Sequence, residues 1–216
     1  MQKEIKKIKI DNNNFLNYYI YKPENIDVKL PVLLFLHGIG ERGTKIEEIE
    51  KYSLPKYMNK VDIPYIVIAP QCLEKNFWDY HLRDIENIID IECKNQKADK
   101  DNIFVAGSSM GAYGAWNYII QRPEIFRGII SISGGIMLPV KQNLEIIKNK
   151  AILMYHGDED DVVDVSESIN AYKKLKNIGA SNIELKIIEK DNHFLTSHAF
   201  KDKYIYEWLD KNLKGE

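Results

Sequence analysis

The stretch Ile103–Trp116 constrains this chain more than any other: Ile-Phe-Val-Ala, then Gly107-Ser108-Ser109-Met110-Gly111, then Ala-Tyr-Gly-Ala-Trp. The first four residues form an apolar run that reads as a buried strand. Ala112, Ala115, Trp116, Ile119 and Ile120 are spaced as a helix. A strand that turns into a helix across Gly-x-Ser-x-Gly puts the serine at a strained corner, with its hydroxyl pushed out above the sheet. Glycine on either side removes the Cβ atoms that would collide where strand and helix approach. The helix N-terminus then lies beside the hydroxyl and favours negative charge there. Ser109 is therefore the candidate nucleophile, and Ser108 is read as structural. A turn that merely joined strand to helix would not call for glycine at both flanking positions.

The 216 residues suit one α/β domain spanning 1–216, with a substantial core. Thirty basic and 32 acidic residues leave a formal charge of −2, with the two signs interleaved, which gives no electrostatic case for nucleic acid. Cys72 and Cys93 cannot make a disulfide framework and lack metal-site spacing, so they read as free thiols in a reducing compartment. The N-terminal Met-Gln-Lys-Glu-Ile-Lys-Lys has no apolar segment behind it, and no apolar run approaches the length of a membrane span. The expected location is cytoplasmic.

Taken in order, Ile5–Ile10 and Tyr18–Tyr21 flank Asp11-Asn12-Asn13-Asn14 and suggest an antiparallel hairpin. Val32–Leu36 is continuously apolar, as in a strand buried on both faces. Lys45–Lys60 carries a helical pattern broken at Pro55. Tyr65–Ala69, Gly128–Ser133, Ala151–Tyr155 and Ile183–Ile188 read as further strands, and Leu82–Glu92 as an amphipathic helix. Ser166–Asn177 and Phe200–Leu213 read as helices, with Asp164 or Ser166 as a cap for the former. Trp78 is a candidate wall of a substrate pocket, and so are Ile136, Met137 and Leu138 after Gly134-Gly135. Phe194 is a further candidate for the same pocket.

The Val32–Leu36 strand runs into His37-Gly38-Ile39-Gly40-Glu41-Arg42-Gly43, a loop that must turn tightly or approach something closely. In a serine hydrolase, such a loop supplies one half of an oxyanion hole, and the residue after the nucleophile supplies the other. The donors inferred are the backbone N–H groups of Ile39 and Met110. Glu41 and Arg42 are expected to form a local ion pair. The strand Ala151–Tyr155 leads into a loop where Asp158, Glu159, Asp160, Asp161 and Asp164 compete to be the acid that orients a histidine. Spacing does not choose among the first four. His193, in the loop after the last strand, can reach a serine at the top of the same sheet. His37 and His156 precede the place where chain order puts a base, and His198 begins the final helix.

These residues resemble a known group. Leu36–Gly43, Ala69-Pro70-Gln71, Gly107–Gly114 and His156-Gly157-x-x-Asp160-x-x-Val163 look like the serine α/β-hydrolases of the esterase/phospholipase and prolyl-oligopeptidase-like "predicted peptidase" group, near feruloyl and acetyl esterases. The likeness runs from residue 30 to residue 213. It implies an α/β-hydrolase fold: a mostly parallel sheet of about eight strands, helices on both faces and little or no lid. It also implies that Asp160 is the acid, His193 the base, and Ile39 and Met110 the oxyanion donors. Where the group carries glycine, proline and glycine, this chain has Ala112, Asp164 and Asn192. Asn192 is tolerable because asparagine accepts left-handed backbone angles.

The expected reaction is hydrolysis of a small carboxylic ester through an acyl-enzyme, with no metal or organic cofactor implied. A peptidase with the same triad is the nearest alternative. A non-catalytic binding module on a hydrolase scaffold is a further one, although such a module would not need all three candidate groups.

Overall fold

The computed structural model describes residues 1–24, 27–58, 60–61, 63–95, 98–137 and 143–215. Its centre is an eight-stranded sheet in the order β1-β2-β4-β3-β5-β6-β7-β8. The strands are β1 (Gln2–Lys9), β2 (Phe15–Lys22), β3 (Leu30–Leu36), β4 (Ile66–Pro70), β5 (Ala98–Ser108), β6 (Gly128–Ile132), β7 (Ala151–Gly157) and β8 (Ile183–Ile188). The first two form the expected hairpin, pairing from Gln2↔Lys22 to Lys9↔Phe15. Its turn is closed by the Asp11 carboxylate, which accepts the N–H groups of Asn13 and Asn14 at 2.8 and 2.9 Å. β2 meets β4 antiparallel, and every pairing from β4 through β3, β5, β6 and β7 to β8 is parallel. The fold is that of an α/β-hydrolase.

Parallel strands covered on both faces need apolar residues at both parities, and the sequence supplies them. In β3, Val32, Leu34 and Leu36 enter one core while Leu33 and Phe35 enter the other. In β5, Ile103 and Val105 alternate with Phe104 and Ala106 in the same way. Helices α1 (Leu82–Asn95), α2 (Met110–Gln121) and α3 (Ser166–Asn177) cover the first face through Ile85, Ile88, Trp116, Ile119, Ala171 and Leu175. Helix α5 (Lys203–Lys211) and two 3-10 turns cover the second through Ile205, Trp208, Ile49 and Leu54. No helix among the described residues is long and apolar enough to cross a membrane.

Two segments differ from the sequence expectation. The described residues between 45 and 60 form no α-helix but the 3-10 turns Ile46–Glu50 and Leu54–Tyr57, because Pro55 has no N–H to continue a helical ladder. The expected helix Phe200–Leu213 is split off from a short helix α4 (Thr196–Ala199) that contains His198. Helix α5 restarts at Lys203, where the Asp202 carboxylate accepts the Tyr204 N–H at 3.0 Å. The N-cap of α3 is Val165 and neither Asp164 nor Ser166, although the Asp164 carboxylate, one residue earlier, accepts the Ser166 N–H at 2.8 Å.

Candidate active site

β5 ends at Ser108 and α2 begins at Met110, so Ser109 alone makes the corner. Its backbone sits at φ 54°, ψ −120°, in a region a residue with a Cβ enters only when its surroundings hold it there. They do: the Ser109 N–H donates to the Ile132 carbonyl at 2.9 Å, and its own carbonyl accepts from Ala112 and Tyr113 at 2.9 and 3.2 Å. Close approach requires both flanking glycines. A Cβ on Gly107 would lie 2.1 Å from the Gly111 carbonyl oxygen, and one on Gly111 would lie 1.9 Å from that of Leu36. Strand β5, helix α2 and strand β3 converge here at distances no side chain could share.

His193 reaches Ser109 from the loop after β8. Its Nε2 is 2.8 Å from Ser109 Oγ. On the ring's other side, Nδ1 is 2.8 and 3.0 Å from the two oxygens of Asp160. An ionised carboxylate only accepts, so the proton sits on Nδ1, and the Nε2 lone pair faces the serine hydroxyl. The Asp160 side chain is fully buried, and His193 is only 8% exposed. Burial alone would raise the Asp160 carboxyl. The N–H groups of Val163 and Val162 and the His193 ring outweigh burial and hold it below the ordinary carboxylate range.

The neighbouring acids take other work. Asp158 accepts the Lys190 N–H at 2.7 Å, which pins the histidine loop to the acid loop. His156, wholly buried behind the acid, brings Nε2 to 3.2 Å from Asp160 Oδ2 and 2.8 Å from the Val163 carbonyl. His198 pairs with Asp191 at 2.6 Å beside the same loop. The left-handed residue in that loop is Lys190, at φ 59°, and not Asn192. Asn192 instead accepts the Phe194 N–H at 2.9 Å through its side chain.

The glycine-rich loop after β3 faces Ser109 across a short gap, with the position of a Cβ on Gly38 lying 3.6 Å from that of Ser109. Ile39 and Met110 each begin a helical turn, so their N–H groups have no acceptor within it. Neither gains one elsewhere among the described residues. His37, at the loop's root, is buried, and burial lowers its ring to about 4, so it is neutral. Its Nε2 accepts the Cys72 N–H at 3.0 Å, and its Nδ1–H donates to the Gly38 carbonyl at 2.7 Å. Burial likewise pushes the Cys72 thiol up to about 12, so it stays protonated.

The expected Glu41–Arg42 ion pair does not form. Arg42 turns outward to the carbonyls of Ile39 and Asn76 at 3.2 and 3.1 Å and lies over the Phe77 ring. Glu41 turns inward, where burial raises its carboxyl to about 7. A group that holds its proton more tightly when folded stabilises the fold fully below its unfolded value near 4.5, and loses that contribution as pH rises to 7. The loss amounts to about 3 kcal/mol at ~1.4 kcal/mol per unit. Glu41→Gln, which cannot ionise, is expected to flatten the fall of Tm between pH 5 and pH 8. Thermal unfolding of both proteins across that range checks it.

Around Ser109 lies an open cleft of about 520 Å³, lined by Ile39, Tyr52, Ser53, Val162, His193 and Phe194 among others. Its lips are apolar: Ile39 is 49%, Val162 64% and Phe194 73% exposed. Of the expected pocket residues, Phe194 alone lines it. Trp78 is 1% exposed and lies beneath the loop. Its indole N–H donates to the His37 carbonyl at 3.0 Å, and its own carbonyl accepts the Tyr118 hydroxyl at 2.6 Å. A large amphipathic ring with a partner for its N–H gains more from burial than from forming a wall. Met137 is exposed and does not line the cleft, although it follows the buried Ile136. Leu138 lies outside the described residues. Tyr52 and Ser53 were not legible as wall residues, because nothing in their spacing shows that the segment after the first 3-10 turn reaches across to Ser109.

The chain is similar to solved structures over nearly all of its length. A thermostable esterase is 26% identical, with 98% of this chain and 63% of that one covered at a TM-score of 0.84, so the chain spans under two thirds of that protein. A ferulic acid esterase is 18% identical over 97% of this chain and 98% of its own, with a TM-score of 0.72. The acylaminoacyl peptidase of Pyrococcus horikoshii is 19% identical over all of this chain and 42% of its own, also with a TM-score of 0.72. At those two identities the likeness is one of fold. The family description of phospholipases and carboxylesterases matches residues 69–213, which hold the serine corner, the acid loop and the histidine loop. The chain belongs to the phospholipase/carboxylesterase family.

Proposed function

We propose that the protein is a serine hydrolase of carboxylic esters that works through an acyl-enzyme. The observation that carries this reading is the unbroken hydrogen-bonded line from Asp160 through His193 to Ser109, with both His193 contacts at 2.8 Å. As an ester carbonyl settles over Ser109, Oγ attacks its carbon, and the hydroxyl proton passes to His193 Nε2. Asp160 holds the imidazolium that forms. The carbonyl oxygen, now negative, lies against the N–H groups of Ile39 and Met110, which no other acceptor among the described residues occupies. Collapse breaks the carbon–oxygen bond to the alcohol, and His193 returns the proton to it. Water, deprotonated by His193, then releases the acid and restores Ser109.

The open, apolar-lipped cleft favours small esters whose acyl or alcohol group is apolar, feruloyl and short-chain acyl esters among them. Expression in the cytoplasm, and folding of residues 1–216 as a single α/β-hydrolase domain, belong to the same proposal. Assay of p-nitrophenyl esters, feruloyl esters and peptide anilides tests it. Turnover of the esters with anilides at least ~10²-fold slower is expected. Anilides cleaved faster than esters would make the protein a peptidase, and turnover of neither would favour a binding module.

A further inference from the structure

Glu41 is not needed for the proton relay, yet it is a carboxyl buried at the edge of the cleft. Its side chain folds back along its own 3-10 turn, and Oε2 accepts the Gly38 N–H at 3.3 Å. The same oxygen accepts the hydroxyl of Ser53, which also lines the cleft. Its other oxygen is buried with no hydrogen-bond partner among the described residues. The backbone N–H groups of Ser53 and Tyr52 also face the carboxyl and, with the Ser53 hydroxyl and the Gly38 N–H, offset part of the cost of its burial. A buried acid left half satisfied costs stability that an apolar residue would not.

The geometry of the next peptide says what that cost secures. The Gly38 carbonyl and the Ile39 N–H belong to one planar unit, so fixing the oxygen aims the hydrogen the opposite way. That oxygen accepts from the His37 ring at 2.7 Å and from the Glu41 N–H at 3.3 Å. Gly38, with no side chain of its own, is the soft joint of this unit, and the Glu41 carboxyl ties its free end. We propose that Glu41 is a positioning residue: it sets the direction of the Ile39 N–H, and so how firmly the site holds negative charge on the substrate oxygen. This rests on the reading of Ile39 as an oxyanion donor.

The test compares Glu41→Ala, Glu41→Gln and Ser53→Ala with the unaltered protein, using a p-nitrophenyl ester and a trifluoromethyl ketone. The ketone becomes a tetrahedral oxyanion on the serine and reports on that state directly. Glu41→Ala is expected to lower kcat about 10- to 100-fold with KM changed less than about three-fold, and to weaken the ketone by the same factor as kcat. Glu41→Gln keeps an acceptor for the Gly38 N–H and is expected to recover most of that loss. Ser53→Ala removes one tether and is expected to lose several-fold in kcat and in ketone affinity, which keeps the test open if Glu41→Ala does not fold. Unchanged kcat and ketone affinity in Glu41→Ala, or in Ser53→Ala where only that variant folds, would overturn the proposal. So would a loss confined to KM. If Ser109→Ala remained active, it would be the triad reading that had failed.

Discussion

Replacing Ser109 by alanine is expected to lower kcat for any ester the protein turns over by at least ~10⁴-fold, because the parts of a triad act as a unit. Alanine cannot donate to His193 Nε2, now 2.8 Å away, and offers no oxygen to form the acyl-enzyme. KM should change little, since the cleft walls are untouched. The fold should hold: Ser109 is bound into the corner by its backbone, whose N–H and carbonyl partners do not involve Oγ. Alanine at φ 54° is as strained as serine there, so a small shift in Tm is compatible with the account. Steady-state kinetics at saturating ester, with circular dichroism to verify folding, measures the effect.

Asp160→Asn is expected to cost on the order of 10³- to 10⁴-fold in kcat, by a different route. The amide can present N–H₂ to His193 Nδ1, which moves the ring proton to Nε2 and turns the lone pair away from the serine. Asp160 also accepts the N–H groups of Val162 and Val163 at 2.9 and 2.8 Å through Oδ1, so the variant keeps a loop acceptor only if the amide oxygen stays on that side. Orienting it that way puts the amide nitrogen at His193, which is why the kinetic loss and an intact fold are expected together. Asp158→Asn and Asp161→Asn serve as controls. The first should weaken the tie to Lys190 and cost far less, and the second should be near neutral. Collapse in either control with Asp160→Asn active would assign the acid elsewhere.

Much of this site could be read before any coordinates. Gly107 and Gly111 announced the contact between strand and helix, and the coordinates give its size: Cβ atoms there would lie about 2 Å from backbone oxygen. The continuous apolar run Val32–Leu36 announced a strand covered on both faces, because its residues of both parities are apolar. The acid could not be chosen by spacing, since Asp158, Glu159, Asp160 and Asp161 are adjacent in the chain. Only the family pattern singled out Asp160, and the structure places that carboxylate on the histidine. What sequence did not carry was the direction in which loops fold back. Glu41 and Arg42, neighbours of opposite charge, part to opposite sides because buried N–H and hydroxyl donors await the one and carbonyls and an aromatic ring the other. Trp78 looked like a wall because periodicity does not reveal that Gly114 leaves room for it: a Cβ there would lie 2.5 Å from that of Trp78. Met137 and Phe194 were equal candidates by chemistry, and only their loops' paths separate them.

The central claim is that Ser109, activated by His193 and Asp160, is the nucleophile. Its most direct measurement is peptide mapping by mass spectrometry after reaction with a fluorophosphonate. A single adduct on Ser109, absent in Ser109→Ala and formed far more slowly in His193→Ala, is the result expected. An unmodified protein, or an adduct on Ser108 or Ser133 with Ser109 untouched, would contradict it.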